Sequence, residues 1–141
     1  MAGRTWYAAS ALARGRASLG RRPRMDCLFC KIVAGEIPSK RVHEDELVIA
    51  FRDVRPQAPT HVLVVPRAHL GSLSELDDEV LAGRLLSVAA SIARTERLTE
   101  GWRLIANSGR DGGQEVGHLH LHVIGGRRLG RMLGPAGGDP G

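Results

Sequence analysis

His118-Leu119-His120-Leu121-His122-Val123-Ile124 sets three histidines at every second position, directly behind the glycine-rich run Asn107-Ser108-Gly109-Arg110-Asp111-Gly112-Gly113-Gln114-Glu115-Val116-Gly117. A strand sends successive side chains to opposite faces, so a strand here places His118, His120 and His122 on one face and Leu119, Leu121 and Val123 in a core. Rings two residues apart then start about 6.6 Å from each other, too far to bond directly and near enough to converge on a phosphate or a metal ion. One strand histidine is ordinarily a half-buried polar residue with a bonded partner. Three side by side carry a desolvation cost with no evident set of partners, which leaves metal binding and phosphate chemistry.

The loop favours phosphate. Gly109, Gly112, Gly113 and Gly117 permit positive φ and close backbone approach, so successive N–H groups can turn toward an anion. Neutral imidazole is a competent nucleophile toward phosphorus near pH 7. His120, flanked by a ring on each side, is best placed to attack while its neighbours bind or orient the phosphate.

Outward from this run, short elements are predicted. Cys27 to Ala34 fits a short helix ended by Gly35 and Pro38, and Arg41 to Glu44 and Leu47 to Asp53 fit extended runs. Pro56 and Pro59 make 54–60 a loop, and His61 opens the β-branched run Val62-Leu63-Val64-Val65, closed by Pro66. Asp77 to Leu98 is predicted as the one long helix, with Leu81, Leu85, Val88, Ala89 and Ile92 forming a buried stripe. Its acidic opening and late Arg94 and Arg97 suit the helix dipole. Trp102 to Ala106 reads as a strand, and Gly125-Gly126 ends the histidine strand. Connections too short for helical crossovers make the sheet antiparallel, so the fold class is α+β.

The 141 residues, 43% hydrophobic and 25% charged, suit one soluble domain. No apolar stretch reaches the length of a membrane span. The net charge of +5 is unevenly placed. Residues 1–24 hold six arginines and no acid, while the rest carries 14 basic and 15 acidic residues. The globular part therefore has no basic net charge of the kind that marks a nucleic-acid binder. We divide the chain into a basic extension (1–24), a domain (25–134) and a Gly/Pro-rich tail (135–141). The extension reads as a transit-like peptide, a weak secretion signal over Trp6 to Ala13, or residues ahead of a true start at Met25. A cytoplasmic protein is expected. Cys27 and Cys30, the only cysteines, are spaced for a metal or redox pair rather than a disulfide framework.

The chain resembles the histidine triad (HIT) proteins, whose motif is His-x-His-x-His followed by apolar residues. The likeness runs over about residues 26–133. Cys27-Leu28-Phe29-Cys30-Lys31-Ile32, Glu36-Ile37-Pro38-Ser39, Ala50-Phe51-Arg52-Asp53, Pro56-Gln57-Ala58-Pro59-Thr60-His61, Gly112-Gly113-Gln114 and Gly125-Gly126-Arg127 are similar to the Hint branch, the adenosine phosphoramidase group. Glu115 and the ending Gly126-Arg127-Arg128-Leu129-Gly130-Arg131-Met132-Leu133 resemble its bacterial members.

That resemblance implies a HIT-like sheet of about five strands with one long helix and a short N-terminal helix. It also implies a homodimer joined through its sheets and a purine mononucleotide bound beside the histidines. His120 is then the nucleophile forming a nucleotidyl-histidine, His122 a phosphate contact and His61 a fourth histidine nearby. Gly113, Gln114, Glu115 and Asn107 fall at the phosphate and leaving-group region, Asp53 and the Val54 backbone at the ribose hydroxyls, and Phe29, Ile32 and Ile37 at the base pocket, where composition alone also allows simple core. Two departures from the family pattern are Glu115, where many members have Ser, and Gly117, where an aromatic is common.

Zinc-bearing members of the family use two cysteines and two histidines, here Cys27, Cys30, His69 and His118. Such a set is tetrahedral with no open position, hence structural. Two reduced core cysteines or a redox pair are the alternatives. The implied activity is hydrolysis of the P–N bond of adenosine phosphoramidates with release of AMP, without an organic cofactor. The rivals are a nucleotide-binding regulator, a hydrolase that uses the histidines as metal ligands, and a dinucleoside polyphosphate hydrolase.

Overall fold

Five short runs, the three central ones rich in Val, Ile and Leu, pair into one antiparallel sheet. The structure, a computed structural model, describes residues 22–134; the expectations for residues 1–21 of the basic extension and for the tail 135–141 lie outside the described residues. The elements are α1 (Leu28–Val33), β1 (Arg41–Glu44), β2 (Val48–Arg52), β3 (Thr60–Pro66), α2 (Glu79–Thr95), β4 (Trp102–Ile105) and β5 (Leu121–Gly125), with a 3-10 turn at Leu73–Glu75. The sheet order is β1-β2-β3-β5-β4, every neighbouring pair antiparallel.

The continuous apolar runs of β2 and β3 follow from burial on both faces. Val48, Ala50, Val62, Val64, Leu121 and Val123 pack with Leu81, Leu85, Val88, Ala89 and Ile92 of α2, the stripe expected for that helix. Ile49, Phe51, Leu63 and Val65 pack on the opposite face with Cys27, Phe29, Cys30 and Ile32 of the α1 region. Apolar burial at about 25 cal/mol per Å² holds both layers.

Helix α2 is shorter than the predicted 77–98. The Asp78 carboxylate caps it by accepting from the N–H groups of Val80 and Leu81 at 2.9 and 3.1 Å. At the other end Arg97 takes φ 58° while the Leu98 N–H closes back on the Ala93 carbonyl, stopping the helix at Thr95.

The histidine strand needs a correction. Only His122 lies in β5, and His118 and His120 precede the ladder. Val64 pairs with Leu121, the last match on that side, because Pro66 of β3 has no N–H to donate. The Leu119 N–H turns instead to the Leu70 carbonyl at 2.7 Å. Side-chain alternation nevertheless persists: Leu119 enters the α2 layer, and His118, His120 and His122 face the side that holds Phe29.

Candidate active site

Contrary to the expectation that three imidazoles would lack partners, each ring has one. His118 is fully buried and His120 only 6% exposed. The Nε2–H of His118 donates to the Pro66 carbonyl at 2.9 Å, so its Nδ1 lone pair faces the thiols, 3.3 Å from Cys27 Sγ and 3.6 Å from Cys30 Sγ. Burial, with repulsion from His69 and His120, pushes its pKa down to about 4.

His120 sits with its ring edge-on to Phe29, the centroids 5.1 Å apart. A carbonyl only accepts, so the 2.7 Å contact between Nδ1 of His120 and the His118 carbonyl puts the proton on Nδ1. Nε2 keeps its lone pair, makes no hydrogen bond among the described residues, and is not among the polar atoms sealed from solvent. That is the arrangement of an imidazole nucleophile.

His122 packs 4.9 Å from the His120 ring, and its Nδ1 lies 2.9 Å from Nε2 of His61. His61 is buried, with Nδ1 accepting the Gln57 N–H at 3.0 Å. Its Nε2 therefore carries the proton and has two acceptors, Nδ1 of His122 and Oδ2 of Asp53 at 3.3 Å. His122 in turn presents Nε2–H. Burial, followed by repulsion from His120 and His61, pushes His122 down to about 4, and burial lowers His61 as well. Neighbouring rings thus hold opposite tautomers, a bare Nε2 on His120 beside an Nε2–H on His122.

The glycine loop departs from expectation. Positive φ occurs at Gly109 and Gly113, while Gly112 is required for space, since a Cβ there would meet the Ser108 carbonyl at 2.5 Å. The N–H groups of Gly109, Gly113 and Gln114 are spent inside the loop, on Gln114 Oε1, the Arg110 carbonyl and the Gly109 carbonyl. The Gln114 side chain is a latch, its Nε2 donating to the carbonyls of Gly71 at 2.6 Å and Val116 at 2.8 Å. The N–H groups of Glu115, Val116 and Gly117, next to the triad, form no hydrogen bond among the described residues.

Around this centre, Asp53 accepts from the Arg55 N–H at 2.8 Å through Oδ1, and the Val54 side chain is 92% exposed. Asn107 is half-buried two residues past Ile105, the β4 partner of His122, so continuing that register sets it opposite His120. Glu115 is exposed, Phe29 and Ile32 are buried, and Ile37 packs partly buried beside them.

Cys27, Cys30, His69 and His118 place one donor atom each within 4.8 Å of all the others. His69 Nδ1 is 3.3 Å from Cys30 Sγ. A tetrahedral zinc with two sulfurs and two nitrogens separates its ligand atoms by about 3.3–3.8 Å. The measured contacts fall in that range, both thiols are free, and the Pro66 carbonyl orients His118 as a ligand's outer partner does. Burial raises the Cys30 thiol and lowers His69.

Sequence inspection missed Gln57, Pro66 and Gly71, because all three act through backbone atoms: any residue supplies a carbonyl, as Pro66 and Gly71 do, and any but proline an N–H, as Gln57 does.

The HIT domain family matches residues 34–129. The purine nucleoside phosphoramidase of Escherichia coli K12 is 48% identical over 115 residues, covering 79% of this chain and 97% of that protein. A histidine triad protein from Clostridium difficile superposes with TM-score 0.75 at 45% identity, covering 79% of this chain and all of that one. A HIT family hydrolase from Legionella pneumophila does so with TM-score 0.75 at 46% identity, covering 77% of this chain and all of that one. With this fold and these three rings, the chain belongs to the histidine triad family.

Proposed function

We propose that the protein hydrolyses the P–N bond of purine nucleoside 5′-phosphoramidates and releases AMP from the adenosine substrate. The observation that carries this reading is the pair of opposite tautomers, which sets a nucleophilic nitrogen beside a hydrogen-bond donor. The E. coli relative named for this activity supports it.

Nε2 of His120 attacks the α-phosphorus and the P–N bond breaks. The amine departs with one proton taken from the medium, leaving a nucleotidyl-histidine. Water then gives its hydroxyl to phosphorus and its proton to the medium, freeing AMP and the imidazole, so that one hard displacement becomes two easier ones. His122 Nε2–H and the free amides at 115–117 stabilise the charge on the phosphoryl oxygens. Asp53 and the Val54 backbone hold the ribose hydroxyls, and Asn107 contacts the phosphate. Gly113 and Gln114 hold the loop in shape beside it, and Glu115 faces the leaving group. Phe29, Ile32 and Ile37 form the floor under the base.

Zinc on Cys27, Cys30, His69 and His118 would tie α1 to the triad and supply structure, not chemistry. Among the described residues strand β4 pairs with β5 on one side only, and its other edge is the place for a second copy, giving a homodimer in the cytoplasm.

Rapid quench with an adenosine phosphoramidate, followed by intact-mass analysis, tests the reaction class. A transient nucleotidyl adduct mapped to His120 is expected. Turnover with no adduct, and unchanged in His120→Ala, would remove the proposal.

A further inference from the structure

Gly126 leaves β5 with φ 95° and passes so close to the 56–59 loop that a Cβ on it would meet Pro59 Cβ at 2.9 Å. Arg127 reaches back over this contact. One guanidinium nitrogen donates to the Gln57 carbonyl at 2.7 Å, and the other is held on the Arg128 carbonyl at 2.8 Å. The loop pinned in this way is the one that delivers the Gln57 N–H to Nδ1 of His61. Its other end is fixed by Asp53, whose carboxylate takes the Arg55 N–H and whose own N–H donates to the His61 carbonyl at 3.0 Å.

We propose that Arg127 is a positioning residue for the phosphate site: by holding the Gln57 carbonyl it keeps the Gln57 N–H on His61, and through His61 it fixes the proton of His122 on Nε2. This rests on the roles given above to His120 and His122. The physical need is specific. A ring nitrogen is a donor or an acceptor according to what its other nitrogen bonds. Were the Gln57 N–H to drift away, the Asp53 carboxylate at 3.3 Å would be the one remaining group that favours the proton on Nε2 of His61, and the share of rings that moved it to Nδ1 would offer His122 a lone pair. His122 would answer with Nδ1–H and turn a bare Nε2 to the phosphoryl oxygens, lone pair against lone pair. Arg127 prevents this from a distance, touching neither ring.

Long-range 1H–15N correlation of histidine-labelled protein at pH 7 reads the tautomers directly. In the wild type, His122 is expected as a single Nε2–H form. In Arg127→Ala it becomes a mixture, and kcat for an adenosine phosphoramidate falls roughly fivefold, the worth of one hydrogen bond, with KM nearly unchanged. Arg127→Lys, which retains one donor, restores most of both. Arg128→Ala, which removes a side chain while keeping the carbonyl, changes neither. A single Nε2–H form of His122 in folded Arg127→Ala would overturn the proposal, and so would equal mixing in Arg128→Ala, which would mean general loosening of the turn. Because the spectrum needs no turnover, a wild type without activity that shows the tautomer effect would refute the hydrolase reading and leave the positioning claim standing.

Discussion

Two groups of ligating side chains occupy the same side of the sheet: Cys27, Cys30, His69 and His118 in one, and Asp53, His61 and His122 in the other. In each, the donor atoms lie within 4.8 Å of one another. Distance alone would make both of them metal sites. What separates them is the far nitrogen of each ring. His118 gives its Nε2–H to a carbonyl, so the nitrogen facing the sulfurs has a lone pair for an ion. His61 receives an N–H on Nδ1, so the nitrogen facing His122 and Asp53 holds a proton and has nothing to offer a cation. One group can take an ion and the other orders protons. His120 joins them, with Nδ1 on the backbone of His118 and its ring against His122.

The largest effect should come from that junction. His120→Gly should keep the fold by circular dichroism and lower kcat by about 10³-fold or more, because the covalent route is gone. A variant that kept even a tenth of the wild-type rate would show that neither cluster serves a nucleophile.

Next comes the metal itself. About one zinc per chain is expected by elemental analysis. Cys30→Ala should bring it near zero and lower Tm by on the order of 10 °C, since ion binding and folding are one equilibrium. Asp53→Asn should leave the zinc content unchanged. Two ions per chain, or loss of the ion in Asp53→Asn, would erase the distinction between the clusters. A smaller effect tests the proton-ordering side: His61→Leu should cut kcat about 10- to 100-fold, the usual range for a group that orients another, and His61→Gln, which retains a donor, should lose less. Equal losses would mean that His61 matters only for its bulk.

Much of the architecture was legible because it depends on patterns of side chains. The stripe from Leu81 to Ile92 announced α2, and the apolar runs at 47–53 and 62–65 announced strands. The alternation of His118, His120 and His122 put the rings on one side even where the ladder ends, since steric alternation outlasts hydrogen bonding. The tautomers were not legible. They follow from carbonyls and N–H groups of His118, Pro66 and Gln57, brought near by folding and invisible in residue type. The glycine loop misled for a related reason: glycines show that a backbone can turn its amides outward, while the Gln114 latch and the internal turns decide that those of Gly109, Gly113 and Gln114 face inward.

The smallest effect concerns acid stability, and its sign follows from the proton-ordering cluster. Burial first, then repulsion from His120 and His61, holds His122 at about 4 in the folded chain against 6.5 when it is free. As pH falls, the unfolded state therefore takes the proton first. The stability associated with the neutral ring is complete above about pH 6.5, declines toward pH 4, and stops changing once the folded ring also protonates. Tm should drop by several degrees across that window, and His122→Phe should show a shallower slope. Acid also releases ions from thiolate and imidazole ligands, but both proteins keep Cys27, Cys30, His69 and His118, so that contribution cancels in the difference between the two slopes. Parallel slopes would mean that the folded ring takes up its proton as readily as the free one, so that it is charged throughout the lower part of that window, and a charged ring would donate from both nitrogens. It would then repel the Nε2–H of His61 instead of accepting from it, and the contrast between the two clusters would fail at its proton-ordering end.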